Sequence, residues 1–521
     1  MRVALIAPPY PLSETPTAPL GLCYVAAAFE AVNAEVIILD YIVRKYSPEK
    51  LFQDLSAFDP DIIGATSVTM NFDLAASILK TAKDLFPRAV IAMGGPHVTF
   101  DYENVLKHHP EIDVIVVGEG EETIMELVPV IRDRKSWPSI KGIAFMEENR
   151  LTVTPGREFI RDIDSLPFPS RNLLPLSRYL ALGFPISIIT SRGCPNQCIF
   201  CQGHRMVGHK VRNRDPGLVV DEIEMLLSHG FTRVNFSDDF FTSNVKRVRR
   251  LCEEIRNRGL SFTWAAFARA DSVDRDLLTL MRDHGCDTVF FGIESGNQDM
   301  LNRIKKHVTL DRIRKAVADC KAVGMTVFAS FIAGLPGESP DTLMDSHRFA
   351  RELDVIYGYH FLAPFPGTEV KEKMEQYDLE LLTKDWSQFD ANRPIARTSS
   401  LSTGEIEDFV DAHYFRDVRE KDAETEKKYR EGRLNGTDLL VYLGNNKLDI
   451  VFKLLSGDII ENLPPMRETD PPMPPELRLS EEISTLIDNS PEFILMSIRH
   501  LVEQGRLTHT TSENHTKWRW A

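Results

Sequence analysis

The chain has 521 residues and a mass of 59.1 kDa, with 61 Lys+Arg against 76 Asp+Glu, a net charge of −15. A composition of 43% hydrophobic and 26% charged residues excludes wholesale disorder, and the acidic balance excludes a chain-wide nucleic-acid surface. The longest run without Asp, Glu, Lys or Arg, residues 322–337, is broken by Gly324, Gly334 and Pro336, so no membrane span is expected. At about 100–200 residues per domain, the length predicts roughly three or four domains.

The N-terminal third alternates short apolar runs with helical patterns. The runs are residues 3–7, 36–39, 62–65, 90–93 and 114–117, rich in Val and Ile and without polar alternation. Such strands suit a sheet buried on both faces, and helical patterns at 21–32 and 73–86 between them predict a doubly wound parallel sheet. Pro8-Pro9 stops the first run too early for a secretory signal. Ligands of such sheets sit at the carboxyl ends of the strands. There the turns carry Pro8-Pro9, Ser67, Gly94-Gly95-Pro96-His97 and Gly118-Glu119-Gly120-Glu121. Gly94 and Gly95 also read as plain turn glycines, and His97 as a loop histidine. No Gly-x-Gly-x-x-Gly follows the first strand, so the dinucleotide fingerprint is missing.

Pro19-Leu20-Gly21-Leu22, Asp59-Pro60-Asp61-Ile62-Ile63-Gly64, Gly94-Gly95-Pro96-His97 and Val117-Gly118-Glu119-Gly120-Glu121 occur in that order. This series resembles the cobalamin-binding domain that precedes radical S-adenosylmethionine domains. The resemblance implies a Rossmann-like domain over residues 1–150, with cobalamin contacts at Pro8, Pro9, Ser67, Gly94, Gly95, His97, Gly118 and Glu119. The Asp-x-His-x-x-Gly motif, whose histidine ligates cobalt in many cobalamin proteins, is absent from the chain. Either cobalamin binds without that ligand or the domain is a relic. Residues 151–183, punctuated by Pro155, Pro167, Pro169 and Pro175, read as an interdomain linker.

Seven cysteines are too few, and too odd in number, for a disulfide scaffold; they point to the reducing cytoplasm. Cys194, Cys198 and Cys201 form C-x3-C-x2-C after a strand-like run at 186–190. Thiolates at this spacing suit an iron–sulfur cluster, or a zinc loop with His204 or His209 as fourth ligand. Including Phe200 before the last cysteine, the motif resembles the signature of the radical S-adenosylmethionine superfamily. The resemblance implies a 4Fe-4S cluster whose open iron binds S-adenosylmethionine, and an external electron donor of flavodoxin or ferredoxin type. Strand-like runs at 233–236, 262–268, 288–292, 326–332 and 359–362, separated by helical patterns, predict a partial (β/α)6 barrel over 184–375.

Family motifs fall at the carboxyl ends of those runs. They imply S-adenosylmethionine contacts from Asp238 and Asp239 toward the amino group, with Ser243 or Asn244 as a helix cap. Arg269 is implied for a carboxylate, Glu294 and Ser295 for ribose, and Gly334 and Glu338 near adenine. Phe365-Pro366-Gly367-Thr368 follows the sixth strand. Cys23, Cys252, Cys286 and Cys320 read as buried free thiols, although relatives place a catalytic thiol in some barrels.

Residues 376–521 predict a mainly α region: a solvated charged helix at 417–433, an amphipathic helix at 439–455, and a linker with Pro464, Pro465, Pro471, Pro472, Pro474 and Pro475. Two helices follow, the first capped by Ser480 and the second over 490–504, then a strand at 505–508. Together they resemble a winged-helix module. A lid or substrate-docking role is expected, since no basic recognition face is evident. The whole reads as a cobalamin-dependent radical enzyme that methylates an unactivated carbon, or phosphorus, of a small molecule. The alternatives are an oxidative cyclase or ring-contraction enzyme using cobalamin without methyl transfer, and a cobalamin or iron–sulfur sensor with a DNA-binding tail.

Overall fold

The computed structural model describes residues 1–10, 17–467, 473–512 and 515–521. Five parallel strands form the centre of the first sheet: β1 (Arg2–Ala7), β2 (Glu35–Asp40), β3 (Ile62–Thr66), β4 (Val90–Gly94) and β5 (Val114–Val116), in the order β2-β1-β3-β4-β5. Neighbouring residues of β1 enter different cores. Val3 and Leu5 pack with helix Leu20–Ala31, while Ala4 and Ile6 pack with helix Phe72–Leu85. Burial on both faces explains why these runs lack alternation.

An antiparallel hairpin, β6 (Ile143–Glu147) and β7 (Arg150–Val153), extends the sheet past β5. The sequence reading missed it. Its two-residue turn, Glu148-Asn149, has φ of 47° and 63°. That conformation is usually marked by glycine, which is absent here. The first sheet thus ends at Val153, and the connecting segment starts after it rather than at residue 151.

The second domain carries β8 (Ile186–Ile188), a short hairpin of β9 (Ser191–Arg192) and β10 (Arg212–Asn213), then β11 (Arg233–Phe236), β12 (Thr263–Ala268), β13 (Cys286–Glu294), β14 (Thr326–Ala333) and β15 (Ile356–Phe361). All but the hairpin form one parallel sheet in the order β15-β14-β13-β12-β11-β8. This is the expected six-unit barrel, left open between β8 and β15. Asp215, Asn244, Asp274, Thr309 and Ser339 cap the helices between its strands, each accepting a backbone N–H bond from the first turn. The cap before the second of these helices is Asn244, not Ser243.

The proline-rich connection is not a loose tether. Arg171 is 1% exposed and donates to Glu222 through Nε (3.0 Å) and Nη2 (2.6 Å) and to the Ser187 carbonyl (2.7 Å). Glu222 also accepts from Arg214 at 2.5 Å. The connection ends in helix Leu176–Leu182, where the Tyr179 hydroxyl donates to buried Asp40 at 2.7 Å.

Beyond the barrel, helix Thr403–Val410 passes through a π-helical turn, Asp411–Phe415, into helix Arg416–Arg430, which buries no side chain. The last module has helices Gly436–Ser456, Pro475–Ser484 and Pro491–Glu503. Its three-stranded sheet contains β18 (Met466–Arg467), β19 (Leu507–Ser512) and β20 (His515–Trp520), and two-residue strands β16 (Glu380–Leu381) and β17 (Ala396–Arg397) pair separately before it. Its order of elements is that of a winged helix. Ser480 lies inside its helix, which begins at Pro475, so it is no cap; the residue is buried at the contact with Pro491. Pro471 and Pro472 fall outside the described residues.

The module is docked away from the cysteine loop. Asp458 pairs with Lys50 and Arg178, and Arg506 lies against Gly230 in the turn entering β11. That turn is at the end of the strands opposite the cysteine loop. No described helix is long and apolar enough to cross a membrane.

Candidate active site

Strand order reverses between β1 and β3, and at the carboxyl ends of β3, β4 and β5 a cleft of about 290 Å³ lies between the two domains. Gly64, Gly94, Gly95, Gly118 and Gly120 form its floor, and Leu22, Tyr24 and Phe29 of helix Leu20–Ala31 form a wall. Its roof comes from the barrel, from Ser191, Arg192, Met206, Ser237 and Asp239.

The cleft fits a bulky, largely apolar ligand brought close to the backbone. Gly95 has φ of 105°, and a Cβ there would meet the Ser67 carbonyl at 2.6 Å. The Ser67 hydroxyl behind it is fully buried, does not line the cleft and makes no hydrogen bond.

Gly94, Gly95, Gly118 and Glu119 line the cleft, whereas Pro8, Pro9, Ser67 and His97 do not. His97 is fully buried behind β4. It stacks on Phe72 at 4.2 Å and meets Trp386 edge-on at 4.9 Å, and burial pushes its pKa down to about 4. The aromatic box holds it neutral. No histidine lines the cleft among the described residues, in accord with the missing cobalt-ligand motif.

The cysteine loop is held from three sides. Gly193, at φ 109°, turns the chain where a Cβ would strike the Lys210 carbonyl at 2.4 Å. Ile199 N–H donates to Ile304 (3.2 Å), and its carbonyl accepts from Val370 (3.1 Å). Gln202 Nε2 donates to the Pro366 carbonyl (2.6 Å) of the turn after β15. Asn196 Nδ2 points to Cys194 Sγ at 3.3 Å, and Gly203 N–H to Cys201 Sγ at 3.2 Å, as suits thiolates in a cluster. Among the described residues, no three His, Cys, Asp or Glu side chains converge on a single-ion site.

Cys23, Cys252, Cys286 and Cys320 are buried, and burial pushes their thiols upward, to about 12 for Cys23, Cys252 and Cys320. They are packing residues, not activated nucleophiles.

The implied S-adenosylmethionine residues divide sharply. Asp238 is buried and already accepts from Thr190 N–H (2.6 Å), Thr190 Oγ1 (2.5 Å) and Ser191 Oγ (2.6 Å), so it braces β8 against β11. Asp239 faces the cleft beside Cys201. Arg269 directs its fork at Asp271 (3.0 and 2.9 Å) and at the Lys306 carbonyl (2.7 Å), not at an open carboxylate site. Glu294, at φ 68°, pairs with buried Lys306 at 2.7 Å. Ser295 is fully buried against Ser346. Glu338 accepts from the N–H groups of Gly334 (2.6 Å) and Leu335 (3.1 Å), and burial pushes its pKa up to about 8. Its Oε2 closes the turn after β14, and its Oε1 is buried without a hydrogen-bond partner. Sequence motifs thus marked the right turns but not which side chain in each turn faces outward.

Comparison with known proteins places both halves. Residues 13–128 match the B12 binding domain, and residues 188–350 match the Radical SAM superfamily. An uncharacterised methyltransferase of Pyrococcus horikoshii is 33% identical over 78% of this chain and 90% of its own length. The chain belongs to the cobalamin-binding radical S-adenosylmethionine enzymes. An anaerobic magnesium-protoporphyrin IX monomethyl ester cyclase of Cereibacter sphaeroides is 30% identical over 80% of this chain and 70% of its own. Among solved structures, the cobalamin-dependent S-adenosylmethionine radical enzyme OxsB with aqua-cobalamin bound shares the fold at a TM-score of 0.70, covering 96% of this chain and 79% of that one, at 18% identity. The cofactors of this family are a 4Fe-4S cluster, S-adenosylmethionine and cobalamin.

In this cobalamin-binding radical enzyme the two halves are locked by a clamp that the sequence did not reveal. Glu119, 5% exposed, accepts from Arg212 (2.8 and 2.9 Å), from Arg192 (3.2 Å) and from the Ile160 N–H (2.9 Å). Glu121 accepts from Arg192 at 2.6 Å. Arg192 also lies over the Tyr24 ring at 5.1 Å. The turn that lines the cleft therefore also holds β9 and β10, which flank the cysteine loop. Charged partners more than seventy residues apart leave no periodic trace in a sequence.

In the enzyme, Gly95→Val is expected to lower cobalamin retention at least tenfold, because its Cβ would displace Ser67. Cobalamin absorbance remaining after gel filtration measures this. Gly156→Ala, whose Cβ meets nothing within 4 Å, should retain the cofactor.

Proposed function

We propose that this enzyme transfers a methyl group to an unactivated carbon, or to phosphorus, of a small molecule. The observation that carries the reading is the shared cleft: its floor is the glycine edge of the cobalamin domain, and its roof is the barrel mouth at Ser237 and Asp239. When bound, the cluster with S-adenosylmethionine supplies a 5′-deoxyadenosyl radical, and cobalamin supplies a transferable methyl group. Cys194, Cys198 and Cys201 would ligate three irons. Asp239, rather than Asp238, is the carboxylate placed to meet an ammonium group near Cys201. Gly94, Gly95 and Gly118 would let the corrin approach the strand ends. Glu119, Arg192 and Arg212 fix the roof over the floor.

The identity with the magnesium-protoporphyrin monomethyl ester cyclase keeps oxidative cyclisation as the second reading. A reduced electron carrier of flavodoxin or ferredoxin type, in the reducing cytoplasm, is the proposed source of electrons. Anaerobic turnover of the reconstituted enzyme separates the two readings. Methylation is expected to yield both 5′-deoxyadenosine and S-adenosylhomocysteine and a product heavier by one methyl group. Deoxyadenosine without homocysteine would reject methylation in favour of cyclisation.

A further inference from the structure

The helix that starts at the cleft floor, Pro96–His108, is broken after its first turn. Asp101 has φ of −129° and ψ of 20°, outside the helical range. The turn before the break begins at Pro96, which lines the cleft. Three partners then grip it. His97 meets Trp386, from the segment that follows the barrel, at 4.9 Å. Thr99 Oγ1 accepts from the N–H of Gly118, another cleft glycine, at 3.1 Å. Phe100 lies against Gly367, so closely that a Cβ on Gly367 would overlap its ring.

Gly367 belongs to the barrel. It is buried, at φ 79°, in the turn Phe365-Pro366-Gly367-Thr368 after β15. Only a residue without a Cβ admits the ring there. The same turn carries the cysteine loop. The Pro366 carbonyl accepts from Gln202, the neighbour of Cys201, at 2.6 Å. The Val370 N–H donates to the carbonyl of Ile199, between Cys198 and Cys201, at 3.1 Å. The path from cleft floor to cluster ligand is therefore short: Pro96, Phe100, Gly367, Pro366, Gln202, Cys201. It shares no residue with the Glu119 clamp. Close-packed contacts of this kind pass a displacement on rather than absorb it.

We propose that Phe100 is a positioning residue whose ring, seated on Gly367, sets the separation between the cobalamin floor and the cysteine loop. This rests on the reading that both cofactors meet in the cleft. Spacing matters there, because a misplacement of about 1 Å in a reacting geometry can cost about a hundredfold in rate. The kink at Asp101 frees the first turn from the rest of its helix, so the turn follows Phe100 and its partners rather than the helix axis.

The test uses the full chain loaded with cob(II)alamin and the reduced 4Fe-4S cluster. The cluster speeds the spin relaxation of cob(II)alamin, read as the microwave power that half-saturates its EPR signal. This dipolar effect falls with the sixth power of the separation, so it reports spacing without turnover. Gly367→Ala, whose methyl group would wedge against the ring, is expected to lower the half-saturation power at least twofold. Phe100→Ala should shift it by at least twofold as well, and Phe100→Tyr, which keeps the ring, should not. Combining Phe100→Ala with Gly367→Ala should return the value toward wild type, because the methyl group then enters space the ring has left. Phe52→Ala, at a 49% exposed ring elsewhere on the cobalamin domain, should change nothing. Wild-type saturation in both single variants would overturn the proposal. A double variant no closer to wild type than Gly367→Ala would also overturn it, since backbone strain at residue 367 would then be the cause. Loss of either cofactor from Phe100→Ala would overturn it too, by making Phe100 a cofactor-holding residue. If reducing the cluster leaves the wild-type cob(II)alamin signal unchanged, the shared-cleft reading fails and this proposal with it.

Discussion

Cys198→Ala is expected to abolish the broad visible absorbance of the 4Fe-4S cluster and all formation of 5′-deoxyadenosine, while cobalamin retention and fold persist. The thiol makes one weak contact, to the Lys305 carbonyl at 3.8 Å, so its removal leaves no strong bond broken. Neighbouring Ile199 remains anchored by two backbone bonds, and the loop should keep its path. Two thiolates cannot hold a cube that relies on three protein ligands. Iron and sulfide analysis after anaerobic reconstitution, with circular dichroism for the fold, measures both halves of the expectation. Cys320→Ala is the matched control. That thiol is fully buried in helix Leu310–Ala322, so the variant should lose a little stability and keep the cluster.

Glu222→Ala should be the most destabilising single change at the seam. Its carboxylate is fully buried between Arg171 and Arg214, whose guanidinium groups are 1% and 7% exposed. Removing the shared partner leaves two buried cations unpaired, a loss of about 3–5 kcal/mol. In a domain of this size that lowers the unfolding midpoint by roughly 6–20 °C. Because the pair is buried, added salt should rescue little. Arg171 is also the anchor of the proline-rich connection, so limited proteolysis between residues 154 and 170 should accelerate in the variant. A midpoint within a degree of wild type would show that the connection is held by its apolar contacts instead.

The parallel strands of both sheets were legible because their residues are buried on both faces. Runs such as residues 3–7 and 326–332 then lose alternation and stand out against amphipathic helices. The hairpin at β6 and β7 was not legible, since its turn uses Glu148-Asn149 where a glycine would have signalled it. In the site, chain-local information marked positions: the glycines at 94, 95 and 118 line the cleft, and the cysteines share one loop after β8. Information about direction did not carry. Asp238 and Asp239 are adjacent and chemically alike, yet one braces the sheet and the other faces the cleft. His97 sits one residue from a cleft-lining proline but points into an aromatic box. The choice in each case is made by partners distant in sequence, such as Thr190 for Asp238 and Trp386 for His97.

The clamp at Glu119 has a consequence for how the two matched regions can be separated. They stop at residue 128 and resume at 188, as though they were interchangeable parts. The bonds that align them run through what lies between and across: Ile160 to Glu119, Arg171 to Glu222, and Arg192 and Arg212 to the Gly-Glu-Gly-Glu turn. A barrel excised at residue 184 would carry Arg192 and Arg212 with no carboxylate to meet them, on the very hairpin that frames the cysteines. Transplanting a foreign cobalamin domain would succeed only if it brought an acid to the position of Glu119. The two halves are therefore aligned as one unit, and exchange of either half alone should yield a protein that folds in parts and fails at the seam.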